Sequence, residues 1–175
     1  MVLELLAMKL DDLADVDRIQ KQAYEAQFVE DMAVYADKLR RYPQGCSMCT
    51  ADGIAVGYLV SHPGRLASPP ALNTLLANVD LPADGDSYFI HDVAVMPSHR
   101  GLGVGGRLVA EALRIAAKHG HDVVALVSVQ GSSSYWTRQG FQPVAGPPEA
   151  LNHVRESYGD DARYMVRHTA RRRLY

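Results

Sequence analysis

Residues 91–113 read HDVAVMPSHRGLGVGGRLVAEAL: a strand, a proline, a glycine cluster and then a helix. The strand begins upstream, at Ser87. Over Ser87 to Val95 a period of two puts Phe89, His91, Val93 and Val95 on one face, and Tyr88, Ile90, Asp92 and Ala94 on the other. Pro97 ends it. From Gly103 to His119, Leu108, Val109, Ala112, Leu113 and Ala116 form one helical stripe, and Gly120 supplies the stop. Between strand and helix stand Gly101, Gly103, Gly105 and Gly106. A glycine in a helix costs about 1 kcal/mol against alanine, so the cluster needs a reason. Missing Cβ atoms let an anion approach the backbone. Free N–H groups and the helix dipole then hold phosphate without a cation. Tight helix–sheet packing is the competing reason. Four glycines beside Arg100 favour phosphate.

Three phosphate loops can be compared with this string. Gly101-x-Gly103-x-x-Gly106 matches the dinucleotide fingerprint, but that fingerprint follows its strand directly and needs an acidic residue ending the next strand. Here MPSH intervenes, and the next strand ends at Val129-Gln130. A Walker loop needs Lys and Ser/Thr where Arg107 and Leu108 stand. The third pattern needs the rest of the chain.

Upstream, Val2 to Met8 reads as a strand. LADVDRIQKQAYEAQF reads as a helix, with Leu13, Val16, Ile19, Ala23 and Ala26 on one face, capped by Asp11 or Asp12. A second helix covers Met32 to Arg41 and stops before Pro43. Cys46 to Ala51 and Ile54 to Ser61 flank Asp52-Gly53, a hairpin signal. His62 to Gly85 carries several prolines and no clear period, with one possible helical turn at ALNTLLANV. A long excursion of this kind tends to be functional. Downstream come a buried strand at Asp122 to Val129, a short helix at Ser132 to Gln139 and a strand from Phe141 to Val144. Pro147 to Asp161 reads as a loop with one helical turn, followed by a last strand at Arg163 to His168. The tail ARRRLY reads as a solvated end. This order gives an α/β layer architecture around one mixed sheet.

The chain has 175 residues and a net charge of −2. One domain over residues 1–175 is the expectation at that length. The charge balance gives no support for a nucleic-acid binder, though it is compatible with cationic amines. Apolar runs fall short of the roughly 18 residues that span a bilayer, and MVLELLAMKL lacks the basic n-region of a signal peptide. The expected setting is therefore cytoplasmic. Cys46 and Cys49 have C-x-x-C spacing, but they sit in a strand rather than at a helix N-terminus, where a redox cysteine wants to be. No second pair completes a zinc site. They read as two reduced cysteines on opposite strand faces.

The third pattern now has its context. Arg100-Gly101-Leu102-Gly103-Val104-Gly105 resembles the Arg/Gln-x-x-Gly-x-Gly/Ala loop of the GNAT superfamily of N-acetyltransferases, and YWTRQGF resembles that family's aromatic–aromatic–x-x-x-Gly-Phe signature. The resemblance covers roughly Tyr88 to Phe141, and the N-terminal order of elements agrees. Within the family, IHDVAV looks most like the serotonin N-acetyltransferase-like branch. The resemblance implies a GNAT-like fold with a central, mixed, mostly antiparallel sheet flanked by helices. It implies acetyl-CoA as co-substrate and no metal. Val93, Ala94 and Val95 would pair with the pantetheine arm as another strand. Arg100, Gly101, Gly103, Val104, Gly105 and Gly106 would hold the pyrophosphate by main-chain N–H groups. A strand N–H near Val93 would polarise the thioester carbonyl. His91 matches one of two histidines in the branch pattern and is the candidate general base; Phe89 stands in the other's place. Trp136 stands where many members have a proton-donating Tyr, and indole is no acid at neutral pH.

The leading expectation is transfer of an acetyl group to a primary amine of a small molecule by direct attack in a ternary complex, with a possible homodimer. The alternatives are a non-catalytic acyl-CoA-binding module and a protein or peptide N-acetyltransferase. Nucleic acid and membrane are not expected partners. A closed cover at His62 to Gly85 would argue for a small substrate, and an open groove for a peptide.

Overall fold

Seven strands, Leu3–Ala7 (β1), Cys46–Ala51 (β2), Ile54–Gly64 (β3), Ser87–Val95 (β4), Val123–Ser128 (β5), Gln142–Pro143 (β6) and Arg163–His168 (β7), form one sheet in the order β1-β2-β3-β4-β5-β7-β6. The structure, a computed structural model, describes residues 1–78, 85–145 and 148–169. Every neighbouring pair is antiparallel except β4 and β5. These two are joined by a helix, as parallel strands require. Asp52 and Gly53 have φ of 49° and 83°, the paired positive values of a tight turn whose twist matches its strands.

The helices are Leu13–Ala23 (α1), Met32–Arg41 (α2), Val104–Lys118 (α3), Ser133–Arg138 (α4) and Pro148–Tyr158 (α5). Leu108, Val109, Ala112, Ile115 and Ala116 of α3 pack on Tyr88, Ile90, Val124 and Leu126. Val16 and Ile19 of α1, with Tyr35 and Leu39 of α2, pack on Met48, Tyr58, Val60 and Ala94. A third cluster joins Val154 and Tyr158 of α5 to Phe89, Ala125 and Tyr164. This is the mixed, mostly antiparallel sheet flanked by helices that the sequence implies. Among the described residues no helix is long and apolar enough to cross a membrane.

Three boundaries differ from the reading of the sequence. β3 runs on to Gly64, with His62 opposite Phe89 and Pro63 opposite Tyr88. Beyond Val60 it pairs on one side only, where proline is tolerated. α1 ends at Ala23, and Ala26–Phe28 forms a separate turn. Residues 148–158 make an eleven-residue helix rather than a single turn. Its buried Ala150, Val154 and Tyr158 stand at i, i+4, i+8. Pro82, Asp84, Pro147 and the arginine tail lie outside the described residues.

The cysteines are free, buried and divided between two clusters, Cys46 under α1 and α2 and Cys49 under α3. Burial pushes the Cys46 thiol up to about 12, with Lys38 opposing, and raises Cys49 as well. Neither has the thiolate character of a redox cysteine.

Candidate active site

The site begins where β4 leaves its neighbours. On one side, β4 pairs with β5 only at Tyr88, Phe89 and Ile90. From His91 to Val95 that edge has no strand among the described residues beside it, so its main-chain groups face a wedge between β4 and β5. On the other side, Val60 pairs with Asp92 and Ser61 with Ile90, so His91 has no partner in β3. This is a β-bulge, an extra residue that restarts the alternation of faces. Tyr88 and Ile90, and past the bulge Val93 and Val95, pack in the cluster under α3. Ala94 packs under α1 and α2, and His91 and Asp92 bond to groups from that side. The period-two assignment of His91 with Val93 and Val95, and of Asp92 to the opposite face, is therefore corrected by the bulge.

A cavity of about 610 Å³ fills the wedge, within the range of small-molecule sites. His91, Val93, Ala94, Val95, Arg100, Gly101, Gly103, Gly105 and Gly106 all line it. Val104 is the exception: its side chain is buried under α3, which leaves only its main chain for a ligand. At the loop end, Gly101 and Gly103 have φ of 78° and 88°, which L side chains adopt at a cost. A Cβ on Gly101, Gly103 or Gly106 would meet no protein atom within 4 Å, so packing does not demand glycine there. Gly105 differs, because its Cβ would meet the Tyr135 hydroxyl at 2.7 Å. As the first turn of α3, Val104 to Gly106 present N–H groups without intrahelical acceptors, at the positive end of the dipole. One Arg100 Nη donates to the Ala23 carbonyl at 3.1 Å, tying the loop to the end of α1.

At the other end stand His91, Tyr24, Phe28, Glu30, Leu72 and Tyr158. The His91 side chain is 1% exposed, and its Nε2 lies 2.6 Å from Glu30 Oε1. Burial pushes the Glu30 carboxyl up, but His91, Lys38 and the Asn73 N–H outweigh it and leave its pKa lowered. Glu30 is thus a carboxylate, an acceptor only, so His91 Nε2 carries the proton it donates. His91 Nδ1 is buried with no hydrogen-bond partner among the described residues. Beside it, Asp92 accepts from the hydroxyls of Tyr24 at 2.5 Å, Tyr58 at 2.6 Å and Tyr35 at 2.7 Å. Burial raises the Asp92 pKa against the pull of the three phenols. His62 flanks Phe89 and His91, with ring centroids 5.7 and 6.2 Å away.

The stretch after β3 closes over this end. Leu72 N–H donates to Ser157 Oγ, Asn73 N–H to Glu30 Oε2, and Tyr158 hydroxyl to the Pro70 carbonyl. Lys38 Nζ donates to the Thr74 carbonyl at 2.8 Å.

Sequence reading gathered the loop and His91 but missed Glu30, the three tyrosines on Asp92, and His62. Those tyrosines come from three separate segments, Tyr24 just after α1, Tyr35 in α2 and Tyr58 in β3, and Glu30 lies between helices with no periodic pattern to mark it. Trp136 packs against Phe141 in the core, with centroids 5.5 Å apart. Among the described residues no cluster of three or more His, Cys, Asp or Glu could hold a metal ion.

Residues 12–141 match the acetyltransferase (GNAT) family model. The chain is 25% identical over 140 residues to the uncharacterized N-acetyltransferase YjhQ of Escherichia coli K12, covering 77% of this chain and 67% of that protein. In fold it is similar to Ard1 from Thermoplasma volcanium, with a TM-score of 0.72, 19% identity and coverage of 97% and 99% of the two chains. It is also similar to the PaiA N-acetyltransferase from Thermoplasma acidophilum, solved in complex with coenzyme A, with a TM-score of 0.68, 12% identity and coverage of 97% and 100%.

Proposed function

The chain belongs to the acetyltransferase (GNAT) family, and from that premise we propose that it moves the acetyl group of acetyl-CoA to a primary amine of a small molecule, by direct attack in a ternary complex. The observation that carries this reading is the wedge at Ile90, where β4 leaves β5 and runs toward the glycine loop. An extended ligand arm can add to a bare strand edge by main-chain hydrogen bonds. Val93, Ala94 and Val95 would hold the pantetheine arm. Arg100, Gly101, Gly103, Gly105, Gly106 and the main chain of Val104 would hold the pyrophosphate. Acetyl-CoA supplies an activated thioester carbonyl, and the N–H near Val93 would polarise it.

An ammonium has no lone pair, so the acceptor must lose a proton before attack. His91 is the proposed base: it lines the cavity, and Glu30 fixes its proton on Nε2, which leaves Nδ1 to receive one. For the leaving thiolate we assign water. Trp136 is in the core, and the Tyr135 hydroxyl stands against Gly105. The serotonin N-acetyltransferase-like branch is supported by His91, and by a buried His62 standing beside Phe89.

The small-molecule reading is supported by residues 70–74, which are hydrogen-bonded across the acceptor end. We further propose a single N-acetyltransferase domain over residues 1–175 and a cytoplasmic setting, supported by two buried, reduced cysteines. The partners are acetyl-CoA and the amine, not nucleic acid or membrane. A homodimer would cover the exposed Leu6 and Ile54 at the β1 side of the sheet.

The test is CoA release across a panel of small amines and peptides, in wild type and in His91→Ala. Turnover of a small amine, lowered about 10²–10⁴-fold by the variant, is expected. Turnover of peptides alone would move the assignment to a protein N-acetyltransferase. No turnover with intact acetyl-CoA binding would leave an acyl-CoA-binding module.

A further inference from the structure

Glu30 is 5% exposed, and its backbone is clamped on both sides by one side chain. Gln20 Oε1 accepts from the Glu30 N–H at 3.0 Å, and Gln20 Nε2 donates to its carbonyl at 2.8 Å. The carboxylate therefore has little freedom. Its two oxygens go to different parts of the molecule. Oε1 meets His91 Nε2 at 2.6 Å, and Oε2 accepts from the Asn73 N–H at 2.5 Å. Asn73 sits at a positive φ of 56° and bonds twice to Asp31, accepting from its N–H and donating to its carboxylate. The stretch at 72–74 is thus pinned to the same short segment that carries Glu30.

We propose that Glu30 is the positioning residue of this site: one oxygen sets the tautomer of His91, and the other seats residues 72–74 over the acceptor end. The inference rests on the reading of His91 as the base. The chemistry follows from what each group can donate. A carboxylate only accepts, so the neutral imidazole keeps its proton on Nε2 and its lone pair on Nδ1. When Nδ1 takes a proton, the imidazolium faces a carboxylate already in place. If the 72–74 stretch were lifted, Oε2 would lose its backbone donor and water would reach the pair.

Other polar groups pack around the dyad. From β3 comes His62, which donates Nδ1–H to the Pro63 carbonyl and is held neutral by burial. From α2 come Tyr35 and the buried Lys38, and from β4 comes Asp92. Tyr24 and Tyr158 face it as phenols, and Arg100 lies beyond Tyr24.

Two variants separate the two halves of the proposal, with readouts that need no substrate. In Glu30→Gln the carboxamide oxygen can still accept from Asn73 N–H, but its NH₂ must donate to His91 Nε2. The imidazole proton then moves to Nδ1, the wrong tautomer for a base there. Histidine ¹⁵N NMR of the ligand-free protein should show His91 as Nε2–H in wild type and Nδ1–H in Glu30→Gln. Hydrogen exchange at Asn73 should stay slow. In Glu30→Ala that amide should exchange at least tenfold faster. With an acceptor in hand, Glu30→Gln should lose about 10²-fold or more in kcat/KM while acetyl-CoA affinity holds. An unchanged tautomer in Glu30→Gln, or unchanged exchange in Glu30→Ala, would overturn the proposal. Absence of turnover in wild type with these shifts present would overturn the acetyltransfer reading instead.

Discussion

The hydroxyl oxygen of Tyr135 lies 2.7 Å from the point at which a Cβ on Gly105 would stand. A Cβ there meets α4, Gly101 and Gly103 hold a positive φ, and Gly106 is under neither constraint. The four glycines that look alike in the sequence thus divide into three kinds. Gly105→Ala should overpack the contact and cost about 1–3 kcal/mol. Tyr135→Phe removes the clashing oxygen and leaves ring carbon Cζ at 3.5 Å, an ordinary contact. The double variant should recover most of the loss. Urea midpoints of the four proteins check this, and simple additivity would contradict it.

The Asp92 carboxylate is held by three phenols. Tyr58→Phe deletes one donor to a buried acceptor. The expected cost is about 1–3 kcal/mol in denaturant unfolding. Acetyl-CoA affinity should be unchanged, since Tyr58 faces α1 and α2 rather than the cavity. A loss of affinity without a loss of stability would place Tyr58 in the ligand site.

His62 is 1% exposed, and its Nε2 has no hydrogen-bond partner among the described residues. Burial lowers its pKa to about 3, with the Pro63 carbonyl opposing and His91 assisting. The unfolded chain takes up its proton near pH 6.5, so the folded state binds fewer protons below that pH. Its contribution to stability is full above pH 6.5 and falls as pH drops toward 3, by about 1.4 kcal/mol per unit in the middle of that window. His62→Phe should flatten the dependence of the urea midpoint on pH between about 6 and 4. Identical slopes in the two proteins would contradict a neutral, buried His62.

The stretch at 91–113 carried the fold because it holds three signals in a row: strand alternation, a glycine-rich turn and a helical stripe. It fell short at His91. A bulge adds a residue without changing composition, so the faces of Asp92, Val93 and Val95 were misassigned by one step. α5 was missed although Ala150, Val154 and Tyr158 have helical spacing, because Pro147, Pro148 and Gly146 draw the eye to a loop. Glu30 and the tyrosines on Asp92 were not legible at all. Their meaning lies in which segments meet, and that is set by packing of α1 and α2 on the sheet rather than by local pattern.

If the loop at 100–106 holds the pyrophosphate of acetyl-CoA, Gly106 is the position that reveals it. It lies in the first turn of α3 and lines the cavity, and a Cβ there meets no protein atom within 4 Å. Gly106→Ala should therefore stabilise the fold by up to about 1 kcal/mol through helix propensity, while placing a methyl group where phosphate oxygens approach. Calorimetric titration with acetyl-CoA, alongside a thermal melt, reads both effects. The expected result is a Tm that is equal or higher together with at least tenfold weaker binding. An equal or higher Tm with unchanged affinity would contradict it.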